Sequence, residues 1–444
     1  MLALPVVAEQ FLHSIVGTTD TWLANHLVAA GSRPDAAELN AAAGAAVGAV
    51  QYILWMIGLV AGAIGTGATA IIARSVGARD RRSANATCGQ AITLALVSGV
   101  VLGLIIYIAA PAFARAIELH GEAPQLFVTY VRLLAMAMPL TLLMFAAGAA
   151  LRGAGDTLTP AIAMIVVDVV NVFCTVGLAY GKFGLPRMGF EGIAIGTMIA
   201  YATGGLLLLT ILLRRRGFMR LFVHRLRPHW APLSRILRIG LPNGLESALQ
   251  WIANLAVVAG VNHLGNATAT SHMNAIRIES YSFLTGMGFA TAAATLVGQS
   301  LGMKDPRRAR RCAYYAYAMG GGFMTLLGIV FVFFGDVIAS WLSDDPSVVK
   351  MTGDCVRTTG YIQSGFAAAM IFGSALRGAG DVVKVMALNL TSIFLIRFAG
   401  VLLAVWYFHL SLQAVWIVLC GELMIRGTLM FLRFRFGKWE LLKV

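Results

Sequence analysis

The sequence predicts an all-α polytopic membrane protein: twelve transmembrane helices in two parallel six-helix repeats. Three observations predict this. The 444 residues are 59% hydrophobic and 12% charged, with a mean hydropathy of +0.79, roughly twice the apolar excess and half the charge of a water-soluble protein. Apolar runs of membrane-crossing length recur along the whole chain. A seven-residue stretch, Ala150 to Asp156, returns unchanged as Ala375 to Asp381. Each spanning helix takes ~20 residues, so roughly a dozen fill about 240 positions and leave no room for an extramembrane catalytic domain.

The apolar segments fall at 3–28, 41–73, 86–110, 125–150, 160–180, 191–213, 237–263, 268–300, 312–335, 351–376, 383–407 and 411–432. The first is interrupted by Glu9 and Asp20 and follows no basic leader. It therefore reads as a spanning helix with a very short cytoplasmic tail rather than a cleaved signal peptide. Later spans end at Arg79-Asp80-Arg81-Arg82, at the Arg152-to-Asp156 turn, near Pro186, and at the basic stretch from Arg214 to Arg238. Such glycine, proline and charge clusters are loop signals. The last, 214–238, separates an N-terminal lobe, 1–213, from a C-terminal lobe, 239–444.

The net charge of +14, from 34 basic and 20 acidic residues, invites a nucleic-acid partner, but topology accounts for it without one. With the N-terminus inside, 24 of the 34 basic residues follow even-numbered spans, five face the other side, and five lie within spans. Basic residues collect on the cytoplasmic side, which places both termini in the cytoplasm of a multi-pass plasma or inner membrane protein. Cys88, Cys174, Cys312, Cys355 and Cys420 sit in or beside apolar runs without ligand-like spacing, which argues against a disulfide framework or a zinc site.

The repeat carries the most specific information. An offset of 225 maps Ala150–Asp156 onto Ala375–Asp381, Gly77, Asp80 and Arg82 onto Gly302, Asp305 and Arg307, and Arg132 onto Arg357. The first span follows an offset of 237: Leu4-Pro5, Glu9 and Asn25-His26-Leu27 match Leu241-Pro242, Glu246 and Asn262-His263-Leu264. The difference is an insertion of 12 residues, best placed in the polar stretch 30–40. Both basic loops must lie inside, so the repeats run parallel, an arrangement used by carriers that bind substrate between two halves.

The chain resembles the multidrug and toxic compound extrusion (MATE) transporters over essentially its whole length. The likeness is carried by Leu4-Pro5 followed by Asp20-Thr21, the paired Leu-Arg-Gly-Ala-Gly-Asp turns, the Asn171-to-Gly177 stretch, and Ala292 to Gly302. It implies a V-shaped pair of six-helix lobes and secondary active multidrug efflux, in which organic cations or amphipathic drugs leave in exchange for H+ or Na+. No cofactor beyond the coupling ion, no enzymatic activity and no nucleic acid are expected; the chain is expected to act as a monomer in the lipid bilayer.

Acids inside spans are costly and therefore functional candidates. Asp20, 15 residues beyond Pro5, lies ~22 Å along its helix, and Asn171 and Thr175, counted from Pro160, lie at ~17 and ~22 Å. Thr197 returns from outside to a similar depth. Asp168, Asn171 and Thr175 share one helix face. The candidate cation-coupling set is thus Asp20, Asp168, Asn171, Thr175 and Thr197, with sodium expected, if bound, at Asp20, Asn171, Thr175 and Thr197. The bland alternative is a helix-end contact for Asp20 and interhelical hydrogen bonding for the rest. The family resemblance implies a second carboxylate four residues beyond the fifth-span asparagine; Thr175 stands there instead, with Asp168 one turn nearer the cytoplasm.

A second candidate site, for substrate or another cation, comprises Glu246, Gln250, Glu279 and Tyr281. Glu246 and Glu279 reach ~14 and ~16 Å into the membrane from opposite faces. Some relatives place a sodium-binding glutamate at the position of Gln250 together with a tenth-span aspartate, and here only Asp354, at the start of that span, is available. Because Glu9 matches Glu246 in the repeat, a structural role would explain both. Arg152 and Arg377, in glycine turns at span ends, are expected to complement the helix dipole. The alternatives are a lipid-linked precursor flippase, which would need cavity arginines such as Arg132, Arg277, Arg357 and Arg397, and a major facilitator transporter, whose loop pattern keeps one more step between glycine and aspartate than Gly77 to Asp80.

Overall fold

The computed structural model describes residues 2–28, 36–214 and 218–442. Arg33, Arg215, Arg216 and Lys443 of the charge tally, part of the 214–238 stretch and much of the 30–40 stretch lie outside the described residues.

Every regular element among the described residues is helical. The long ones are α1 (Ala3–Asn25), α2 (Ala36–Gly77), α3 (Arg81–Ala116), α4 (Ala123–Gly153), α5 (Leu158–Tyr180), α6 (Phe190–Arg214), α7 (Trp230–His263), α8 (Asn266–Gly302), α9 (Pro306–Ser340), α10 (Pro346–Tyr361), α11 (Gln363–Gly378), α12 (Val382–Tyr407) and α13 (Leu412–Phe436). Nine helices among the described residues are long and apolar enough to cross a membrane. α1 and α8 fall below that mark on composition, and α10 and α11 have 16 residues each. The single span expected over 351–376 is broken at Ile362 (φ −106°, ψ 5°). The break follows Gly360, which packs so closely on Gly328 that a Cβ there would lie 2.6 Å from the Gly328 carbonyl oxygen.

The turns recur with the sequence. In both copies of the Arg-Gly-Ala-Gly-Asp turn the second glycine is left-handed, Gly155 at φ +88° and Gly380 at +93°. Their aspartate amides bond back to Leu151 and Leu376 at 2.9 Å, satisfying carbonyls at the helix ends. After α2 and α8, Arg79 and Lys304 are left-handed at φ 58° and 59°, and Asp80 and Asp305 bond back to Ser75 and Ser300 at 2.9 and 3.0 Å.

The chain forms two compact units. One holds Ala8–Ala68 and Arg81–Leu237, the other Met1–Val7, Thr69–Asp80 and Arg238–Val444. In the first, α4 runs along α3 and α6, and α5 along α6. The stretch after α6 docks on α3: the Gln90 amide donates to the Arg225 and Arg227 carbonyls at 2.8 Å each and accepts from the His229 amide at 3.0 Å. In the second, α8 packs on α9 and α11, and α11 on α13. There the ends of α2 and α8 meet reciprocally. A Cβ on Gly77 would lie 1.9 Å from the Gln299 carbonyl oxygen, and one on Gly302 would lie 2.1 Å from that of Arg74. Arg74 and Gln299, like Gly77 and Gly302, are 225 residues apart, so the two contacts pair equivalent positions of the sequence repeat.

Candidate functional site

The polar site of the first unit is built on α1. In the Gly17-to-Thr21 cluster, Thr18 and Thr21 donate their hydroxyls to the Ser14 and Gly17 carbonyls one turn back. That satisfies them within their own helix. Asp20 reaches out instead, and it is only 2% exposed.

Three helices supply its donors. Tyr130 of α4 and Thr197 of α6 each donate a hydroxyl to Asp20 Oδ2 at 2.6 Å, and Asn171 Nδ2 of α5 donates to Oδ1 at 3.4 Å. Asn171 also donates to the Thr197 hydroxyl at 2.9 Å. A buried carboxylate left without donors would lose its hydration uncompensated; here donors from three helices replace it. Tyr130, Asn171 and Thr197 are themselves buried.

The remaining candidates of this set stand differently. Thr175 is buried, but its hydroxyl donates to the Asn171 backbone carbonyl at 2.5 Å. Asp168 is 7% exposed, and neither of its oxygens has a hydrogen-bond partner; the same holds for Asn171 Oδ1. Sequence reasoning missed Tyr130, which stands two residues before Arg132 on α4. The only available signal was that a phenol inside a membrane span needs a partner for its hydroxyl.

In the second unit Glu246 is buried and accepts from Arg377 at 2.5 Å and from the Asn389 amide. In the first unit Arg152 donates to Glu9 at 2.5 Å. Both turn arginines therefore reach a glutamate rather than serving the helix dipole alone. Gln250, one turn past Glu246, is half-buried, as is Glu279 on α8, while Tyr281 is 60% exposed. A network outside the expected set lies between α12 and α13. Glu422, fully buried, takes Arg397 at 2.7 Å, Arg426 at 3.2 Å and the Ser392 hydroxyl at 2.7 Å. Arg397 also donates to Asn254 at 3.0 Å. It lies in a π-helical turn, Ile393–Phe398, a widening that re-aims side chains. The Glu422–Arg426 spacing of four residues was a readable signal for this pair.

A helical membrane protein with a donor-ringed carboxylate and buried ion pairs inside its spans belongs to the class that performs polar chemistry within the bilayer. The MatE family model matches residues 5–176 and 242–403, and the chain belongs to the MatE family. A probable multidrug resistance protein NorM of Thermotoga maritima is 28% identical over 444 residues, covering 99% of this chain and 92% of the relative. Two solved structures share the fold. A MOP superfamily transporter from Pyrococcus furiosus has a TM-score of 0.86 at 21% identity over 98% and 94% of the two chains. A MATE structure in the straight conformation has 0.85 at 22% identity over the same shares.

Proposed function

We propose that this protein is a secondary active multidrug exporter, which expels small organic cations or amphipathic drugs by alternating access in exchange for protons, with Asp20 as the coupling carboxylate. The observation that carries this reading is the convergence of Tyr130, Asn171 and Thr197 on Asp20. A proton placed on Asp20 Oδ2 turns an acceptor into a donor, so the Thr197 or Tyr130 hydroxyl must rotate to accept it. Thr197 already accepts from Asn171, and any change in its role passes to α5. Protonation thus re-sorts the bonds that join α1 to α4, α5 and α6.

The donor set supports a proton over sodium. Tyr130, Thr197 and Asn171 already place hydrogens on both Asp20 oxygens, lone pairs that a sodium ion would have to take from them. Asp168 belongs to the same proton machinery. In the second unit Glu279 is the contact proposed for a cationic substrate; Tyr281, two residues on, faces elsewhere on α8. Glu279 is the acid inside the spans there that no hydrogen bond engages among the described residues, whereas Glu246 is held by Arg377 and Asn389.

α1, α8 and the α10–α11 pair are read as completing twelve spans in two parallel repeats with both termini cytoplasmic in the plasma or inner membrane. The double match of one family model and the reciprocal Gly77 and Gly302 packing support that layout. Family membership removes the major facilitator alternative. The flippase alternative needs uncommitted arginines, and three of its four are engaged: Arg132 lies over the Tyr107 ring at 5.0 Å, Arg357 pairs with Asp336 and Asp354, and Arg397 with Glu422, which leaves the exposed Arg277. Uptake of a fluorescent organic cation into inverted vesicles tests the proposal: a proton gradient should drive it and a sodium gradient should not. The reverse result would overturn the coupling ion, and uptake with neither gradient would overturn antiport.

A further inference from the structure

Below the Asp20 cluster, toward the Arg152 end of the same unit, lies a cavity of about 70 Å³ lined by residues that include Glu9, His13, Arg152, Met164 and Leu208. Three helices run from this cavity to the cluster, each with polar groups on one face. On α1, Glu9, His13 and Asp20 are spaced i, i+4, i+11; on α5, Met164, Asp168, Asn171 and Thr175 are spaced i, i+4, i+7, i+11; on α6, Thr197, Tyr201 and Leu208 are spaced i, i+4, i+11. At 1.5 Å per residue each track covers ~16 Å.

Among the described residues, the buried unpartnered side-chain atoms of this unit fall on those tracks. Glu9 Oε2, His13 Nδ1, both oxygens of Asp168 and Asn171 Oδ1 are buried without a hydrogen-bond partner, although such atoms are nearly always satisfied by protein or ordered water. Asp168 and Asn171 are more than nine-tenths buried. The charged and titratable groups facing His13 are Glu9 on its own helix, Arg152 of α4 and Tyr201 of α6, whose ring centre is 6.3 Å away. Tyr201 in turn lies within electrostatic reach of both Asp20 and Asp168.

The scaffold does not demand these groups. With the 237 offset of the first span, His13 and Asp20 correspond to Gln250 and Val257, and with the 225 offset Asp168 corresponds to Ile393. The ion pair at the base is kept in both copies, Glu9 with Arg152 and Glu246 with Arg377. The second copy therefore keeps the pair while replacing the ionisable track.

We propose that His13 and Asp168 form a water-bridged proton route joining Asp20 to the Glu9–Arg152 cavity, by which the proton taken up at Asp20 leaves on the cytoplasmic side. Each transfer moves one proton between lone pairs: Asp20 gives it through water to an Asp168 oxygen, Asp168 to His13 Nδ1, and the imidazolium releases it to water in the cavity. Two unpartnered acceptors and a short cavity divide a ~16 Å gap into steps that single waters can bridge. The proposal rests on the proton reading of Asp20.

The test uses the full chain in proteoliposomes with a pH dye in the lumen. It compares proton movement on adding a fluorescent organic cation with counterflow of that cation, which requires no proton step. His13→Ala should lower substrate-coupled proton flux at least about tenfold, keep counterflow, and regain flux with added imidazole. If His13→Ala loses counterflow as well, Asp168→Asn decides: a tenfold loss of coupled flux supports the route, and parental flux overturns it. Parental coupled flux in His13→Ala, or a loss that imidazole fails to restore, also overturns it. Parental coupled flux in Asp20→Asn would instead sink the underlying reading of Asp20, a separate result.

Discussion

Arg152 and Glu9 close an ion pair at 2.5 Å in one unit, and Arg377 and Glu246, their counterparts in the repeat, close one at 2.5 Å in the other. The arginine comes from a glycine turn whose backbone is the same in both copies, and the glutamate from one turn past a Leu-Pro step. A pair kept twice, at sites whose surroundings otherwise diverge, fastens helices together. Glu246→Gln should leave Arg377 without its countercharge and cost about 3–5 kcal/mol of stability, read as a lowered melting temperature in detergent. Ion-coupled transport per folded molecule should persist.

The Asp20 cluster makes a different prediction. Tyr130→Phe removes one donor at 2.6 Å from a buried carboxylate, and hydrogen bonds to charged groups contribute about 1.5–3 kcal/mol. Substrate-coupled proton flux in proteoliposomes should fall by about tenfold or more. Thr175→Val, which removes a hydroxyl bonded to its own helix, should change that flux by less than about threefold.

Ion pairs should separate by burial. Glu422 is fully buried between Arg397 and Arg426, so Glu422→Gln strands two guanidinium groups and should destabilise by about 3–5 kcal/mol. The pair of Arg310 with Glu440 is far more open, with side chains 41% and 23% exposed, and Glu440→Gln should cost no more than about 1 kcal/mol. Thermal melts of the two variants under one detergent condition make the comparison.

Glycine packing makes a further contrast. A methyl on Gly77 or Gly302 would strike a carbonyl oxygen at 1.9 or 2.1 Å, whereas Gly62 has nothing within 4 Å. Gly302→Ala should sharply reduce the folded yield, read by size-exclusion chromatography. Gly62→Ala should leave it unchanged or improve it, since alanine favours a helix by roughly 0.8–1.0 kcal/mol over glycine.

How much of this was legible beforehand differs by element. Hydropathy delimited the helices, because lipid leaves the backbone no alternative to internal hydrogen bonds. The paired glycine turns exposed the repeat, because left-handed backbone at Gly155 and Gly380 constrains residue type. Depth along the helix brought Asp20, Asn171 and Thr197 together, since helical rise converts sequence distance into position. Helix rotation was less accessible: Thr175 shares a face with Asn171 yet turns its hydroxyl to the backbone. Tyr130 and His13 went unread because a polar residue within a span reveals nothing of its partner on another helix. The break at Ile362 depends on the close approach of Gly328 and Gly360 from separate helices, which no local pattern encodes.

The most direct test of proton coupling at Asp20 is the lumenal pH change that an organic cation evokes in proteoliposomes holding the parent chain or Asp20→Asn. Coupled proton movement should disappear in Asp20→Asn while counterflow of the cation continues. A pH change of parental size in that variant would contradict the assignment of Asp20.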